Sequence, residues 1–322
     1  MAHAIIAKTP PAARAHPLPT GWDAARARLQ GLPGGGLNIA HEAVDRHVAA
    51  GHGAQPALIW LGRAGERKVL TYADLAVEAA RFAHVLRAHG VGPGARLFLL
   101  SDRVPALYAV TLGALKAGVV VSPLFAAFGP DPVRARMEIG GASVLVTTEA
   151  QYRRKIAAWR ADLPGLKLVL IIGDDAPDGC VALGPAMAAA PDGFTTHPTR
   201  AEDMALLHFT SGTTGLPKGV VHVQDAVVAH AETGRLALDL RPGDIYWCTA
   251  DPGWVTGMSY GIISPLCNRV TMIVDEADFD LDRWYGILER ERVAVWYTAP
   301  TAIRMMMRSG VEAAAGHDFS KL

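Results

Sequence analysis

Short apolar runs recur along this chain, each too brief for a helix, and several are divided from the next by a segment of helical spacing. Arg96–Leu100, Val119–Leu124, Ser143–Thr147 and Lys167–Ile172 are such runs in the first part, and Ala205–Phe209, Ile245–Thr249, Val270–Val274 and Val293–Tyr297 in the second. Helices are expected over Pro105–Ala117, Val133–Ile139, Ala150–Ala161, Asp225–Leu238, Leu281–Arg290 and Ala302–Arg308. Strands separated by helices of this length build parallel sheet from βαβ units, so the fold class is α/β. A further helix is announced by Thr71-Tyr72-Ala73-Asp74, which has the pattern of a capping box. Leu75, Ala79, Phe82 and Leu86 follow at helical spacing and Gly90 supplies a stop.

The stretch Asp174–Arg200 is rich in Gly, Pro, Asp and Thr and reads as a linker or surface excursion. The expected organisation is therefore a flexible lead-in over 1–36, a first α/β lobe over 37–200 and a second over 201–322. Val104–Phe128 is apolar enough to suggest a membrane span, but Lys116 sits near its centre and Pro105 and Pro123 interrupt it. A buried helix running into a buried strand reads the same way and is the reading adopted.

Composition narrows the function classes. Lys plus Arg equals Asp plus Glu at 31 each, so there is no net field to draw in nucleic acid or an anionic membrane, and neither is expected as a partner. Any anionic substrate must be held by local groups. Cys180, Cys248 and Cys267 show no metal-ligand or disulfide spacing, which suits a reducing, cytoplasmic compartment. The first nineteen residues are short of acids but lack a secretory apolar core, and Pro10, Pro11 and Pro17 would break a targeting helix.

The most informative segment runs Leu206-Leu207-His208-Phe209-Thr210-Ser211-Gly212-Thr213-Thr214-Gly215-Leu216-Pro217-Lys218-Gly219-Val220. An apolar strand feeds a loop of hydroxyls and glycines closed by one lysine. Glycines let backbone N–H groups approach an anion, hydroxyls add donors without bulk, and an ammonium adds charge. Such a loop suits ATP. It is not a Walker loop, because Pro217 stands where glycine is required and Gly219 where the metal-binding hydroxyl belongs. Taken as a lone Gly-rich loop it would read as bare surface, but fifteen residues of one pattern are far more specific.

That stretch resembles the phosphate-binding signature of the adenylate-forming superfamily, which includes acyl-CoA synthetases, luciferases and peptide-synthetase adenylation domains. Tyr246-Trp247-Cys248-Thr249-Ala250-Asp251-Pro252-Gly253-Trp254-Val255-Thr256-Gly257-Met258-Ser259-Tyr260 is similar to a segment of acetyl-CoA synthetases and related short-chain ligases. So are Val295–Arg304 and Asn38–His47. The resemblance implies the two βαβ-built lobes of the adenylate-forming N-terminal domain. It implies ATP, CoA and Mg2+ as cofactors and a small carboxylate, acetate first, as substrate. Thr210, Ser211, Gly212, Thr213, Thr214, Gly215 and Lys218 would hold the ATP phosphates. Trp254, Val255 and Thr256 would line the acyl and CoA pocket, although Trp254 by itself would read as core packing. Met258 departs from the His or Thr often found there, which puts pocket shape in doubt.

The reaction so implied is activation of the acid to acyl-AMP, then thioester formation with release of AMP and pyrophosphate. The family's β-barrel, metal-binding motif and catalytic lysine are expected beyond Leu322, which makes this stretch alone incomplete for catalysis. A nucleotide-binding fragment without chemistry and a ligase for propionate or a larger acid remain alternatives. The basic helix with Tyr152, Arg153, Arg154, Lys155 and Arg160 reads better as a solvated face than as a CoA contact. Pro300 and Thr301 suit a nucleotide wall or a strand-ending turn equally. His208, His222 and His230 receive no role.

Overall fold

The computed structural model describes residues 21–210 and 216–322. Of the expected lead-in, residues 1–20 lie outside the described part, while Trp22–Arg26 is a short helix with Ala25 buried and Arg26 paired to Asp225. The strands are β1 (Pro56–Leu61), β2 (Arg67–Thr71), β3 (Arg96–Leu100), β4 (Val120–Pro123), β5 (Val144–Thr148) and β6 (Leu168–Ile172). They continue with β7 (Val181–Ala182), β8 (Met204–Thr210), β9 (Lys218–Val223), β10 (Ile245–Cys248), β11 (Thr271–Asp275) and β12 (Val295–Tyr297).

These form a seven-stranded sheet in the order β7-β6-β5-β3-β4-β8-β9 and a five-stranded sheet in the order β12-β10-β11-β1-β2. Pairing is parallel except at the β1/β2 and β8/β9 hairpins. Sheet membership does not follow the expected division near residue 200. The hairpin β8/β9 closes the sheet built by β3 to β6, and β1 pairs with β11, more than two hundred residues on. A contiguous split cannot describe strands that find their partners through non-local burial.

Both faces of the larger sheet are covered. Leu97, Leu99, Val144 and Val146 point into one core cluster, and their neighbours Phe98, Leu100 and Leu145 into another. This two-residue alternation within continuous apolar runs is what strands buried on both sides require. The first cluster also takes Leu58, Met272 and Val274 from the smaller sheet and Leu75, Phe82 and Leu86 from the helix Tyr72–Ala88, so the two sheets share one core. That helix begins at the expected capping box, with Thr71 and Asp74 exchanging side-chain and backbone bonds. The apolar stretch near residue 110 is the buried helix Pro105–Lys116 followed by β4. Its Lys116 is neutralised by Asp45. No helix among the described residues is long and apolar enough to cross a membrane. The three cysteines are free.

Candidate active site

The strand β8 is buried over Ala205–His208 and emerges at Thr210, where the chain turns and returns as β9. Thr210 pairs directly with Lys218, so both flank the mouth of the hairpin loop and both are exposed. Ser211, Gly212, Thr213, Thr214 and Gly215 lie outside the described residues. On the inner side β8 pairs with β4, Val121 opposite Leu206, and the Ser122 hydroxyl donates to the Leu207 carbonyl at 2.8 Å. The loop that follows β4 therefore leaves the sheet from the strand beside β8.

Trp254 meets that loop from the other sheet. Its ring stands 5.3 Å from Phe125 and 5.8 Å from Phe128, and the two phenylalanines stand edge to face at 5.4 Å. The turn that delivers it follows β10: Asp251 accepts from the Gly253 N–H through Oδ1 at 2.7 Å and from the Trp254 N–H through its carbonyl at 3.0 Å. Gly253 is obligatory, because a Cβ there would run into the backbone of Phe125. Burial pushes the Asp251 carboxyl above the usual range, with Gly253 and Arg103 opposing and nearby Asp102 adding to the rise. Trp254 keeps 43% of its surface exposed and Val255 37%, so these side chains line an open wall, while Thr256 is half-buried. Thr249 and Thr298 join the ends of β10 and β12 through their hydroxyls at 2.7 Å. The loops after β4, β10 and β12 thus gather at the carboxyl ends of parallel strands, where open α/β sheets hold their ligands.

Residues 45–322 match the family model described as AMP-binding enzyme. The chain belongs to the AMP-binding enzymes. An acetyl-coenzyme A synthetase of Bacillus subtilis (strain 168) is 40% identical over 291 residues, covering 89% of this chain and 50% of that protein. One of Rubrobacter xylanophilus is 34% identical over 320 residues, covering 94% and 49%. The crystal structure of a Brucella canis acyl-CoA synthetase superposes with a TM-score of 0.84 at 33% identity, covering 92% of this chain and 53% of that one. The chain spans about half the length of the curated relatives it matches, and its fold is that of the adenylate-forming N-terminal domain.

Within this AMP-binding fold several site neighbours escape a linear reading. Phe125 and Phe128 complete the aromatic wall, and the guanidinium of Arg136 lies 4.3 Å from the Phe128 ring. Lys155 donates to the Ala126 carbonyl at 2.6 Å, fastening the same loop, and burial lowers its pKa, helped by Arg154. Of the basic helix Glu149–Lys155, then, Lys155 is structural, whereas Arg153 faces solvent with Glu149. The signal was available: a Phe-x-x-Phe pair directly after a buried strand. Met258 is fully buried in the main core. It therefore reaches the pocket only through the backbone it anchors. Pro300 and Thr301 open the helix Pro300–Arg308, exposed at the end of β12.

The three histidines are brought together. His208 and His222 rings lie 5.0 Å apart and His222 and His230 5.8 Å apart, with one ring nitrogen of each buried and unpartnered. Burial lowers His208 to about 3 and His230 to about 4, the His222 ring reinforcing both shifts. No group of His, Cys, Asp and Glu among the described residues is arranged to hold a metal ion.

Proposed function

We propose that the polypeptide containing this chain activates a short-chain carboxylate, acetate first, with ATP and passes the acyl group to CoA. The observation that carries the reading is the neighbourhood of two strands. The hydroxyl- and glycine-rich sequence is borne between Thr210 and Lys218 on the hairpin beside β4, the strand whose following loop gives Phe125 and Phe128 to Trp254. Similarity to acetyl-coenzyme A synthetases of two bacteria supports the choice of acid.

A carboxylate resists nucleophiles because its charge is delocalised and oxide leaves poorly. Its oxygen attacks the α-phosphorus of ATP, the bond to the bridging oxygen breaks, and pyrophosphate leaves with the electron pair. The thiolate of CoA then attacks the acyl carbon and AMP departs. The work of the protein is to position and to stabilise charge along these displacements. Thr210, Ser211, Gly212, Thr213, Thr214 and Gly215 offer hydroxyl and N–H donors to the β- and γ-phosphates, and Lys218 offers a charge. Trp254, Val255 and Thr256 wall the acid, the indole limiting its length by exclusion and Thr256 offering a hydroxyl. Magnesium accompanies ATP in such reactions.

The test is acetate-dependent exchange of pyrophosphate into ATP, then CoA-dependent release of AMP, in the polypeptide containing residues 1–322. Lys218→Ala should slow exchange roughly tenfold to a hundredfold, the value of one charge-assisted contact of about 1.5–3 kcal/mol. An acid panel reads the substrate, with acetate ahead of propionate and longer acids. Exchange that ignores carboxylates, or that Lys218→Ala leaves at full speed, overturns the reading.

A further inference from the structure

A cavity of about 560 Å³ opens at the opposite edge of the smaller sheet from Trp254. Pro242 and Asn268–Arg269, which line it, directly precede β10 and β11, so it lies at the amino ends of those strands. Arg28, Arg46, Arg235 and Arg269 project into its lining with His47, against the single carboxylate of Glu232; His52, alanines, Leu240 and Pro242 fill the intervening wall.

The acids near it are already engaged. Glu232 holds Arg235 at 2.6 Å and Arg28 at 3.7 Å, and Glu42, behind the wall, holds Arg46 at 2.9 Å. Arg269 is left without a side-chain hydrogen bond or ion pair among the described residues. Its Nε, like the Nε of Arg46, is buried and unpartnered. Buried donors are almost always satisfied, and Arg46 already gives its Nη groups to Glu42 and to the Arg28 and Cys267 carbonyls, so Arg269 is the guanidinium left to meet an acceptor. Arg269 also sits at φ 57°, a left-handed conformation that suits glycine far better than a long side chain. Its carbonyl accepts from Gln55 and Gly243, contacts that any residue would supply. The guanidinium is therefore what distinguishes arginine from glycine at this position. His47, lowered to about 4 by burial and then by Arg46, stays neutral and adds no charge to the cavity.

We propose that this cavity is a second anion site, separate from the phosphate loop, which takes the phosphoryl group of a small phosphorylated molecule at Arg269. Planar guanidinium forks match phosphate oxygens, and the volume lies within the range of small-molecule pockets. The experiment is calorimetric titration of the chain bearing Lys218→Ala, which weakens the hairpin loop, with inorganic pyrophosphate and, separately, glycerol 3-phosphate. Binding of at least one probe is expected, weakened at least tenfold by adding Arg269→Gly, with a melting temperature equal or higher because glycine fits the left-handed backbone. Binding of both probes identifies a phosphate-ester site, and binding of pyrophosphate alone an inorganic one. Failure of both probes to bind the Lys218→Ala chain, or equal affinity with and without Arg269→Gly, overturns the proposal. These outcomes leave the assignment of the hairpin loop untouched, since the chains with and without Arg269→Gly share the same hairpin loop.

Discussion

Gly253 and Phe125 approach so closely that a single added carbon cannot be accommodated without moving one loop off the other. Gly253→Ala is therefore expected to cost about 1–3 kcal/mol, as overpacking does. It should also loosen Trp254 from its two phenylalanines, seen as a lower melting temperature and an altered indole emission. His208 and His230 give a second prediction at this scale. Folding holds both well below the ordinary value of 6.5, so between about pH 4 and 6.5 the unfolded chain binds protons that the folded chain does not. Stability must then fall as pH drops through that window, by about 1–2 kcal/mol for each histidine at pH 5. His208→Leu should flatten the dependence of melting temperature on pH between 7 and 5. An unchanged slope would show that other groups govern it.

At the level of elements, most strands and helices were legible, because apolar runs and caps act locally. Arg96–Leu100 and Leu281–Arg290 have the expected bounds, and the helix after Thr71 starts where its capping box says. Thr71→Ala should cost about 1 kcal/mol, measured by urea unfolding, with little effect on the cooperativity of the transition. The elements that escaped notice have weak local signals. The strand β9 follows a glycine-rich turn and reads as loop continuation, and its Val220 and Val221 remain exposed on a sheet edge. The supposed linker carries the two-residue β7 and the helix Leu183–Ala188, both too short for periodicity to reveal. The predicted helix Ala150–Ala161 ends at Lys155 and tightens into a 3₁₀ turn over Ala157–Asp162.

Across the whole molecule, buried amides join parts that sequence keeps far apart. Asn38 is fully buried, donating to the Leu115 carbonyl at 2.8 Å and to the Thr199 hydroxyl at 3.1 Å while accepting from Ala40. Gln224 accepts from the Ile39 N–H at 2.8 Å beside it. Asn38→Ala leaves these partners buried without replacement and should destabilise by about 2–3 kcal/mol, read from chemical denaturation. A cost below about half a kcal/mol would mean that water takes over the amide's bonds.

Sequence by itself determined the α/β class, the strand and helix alternation, and the hydroxyl–glycine–lysine loop with its family resemblance. Periodicity, capping and loop chemistry act within a few residues, and a linear reading sees that far. Tertiary structure alone decided that β8 and β9 close the larger sheet and that Phe125 and Phe128 meet Trp254. It also decided that three histidines share one neighbourhood, and that four arginines from distant segments surround one cavity. Each of these depends on which buried surfaces find one another, and that choice belongs to the packing of the whole chain rather than to any stretch of it.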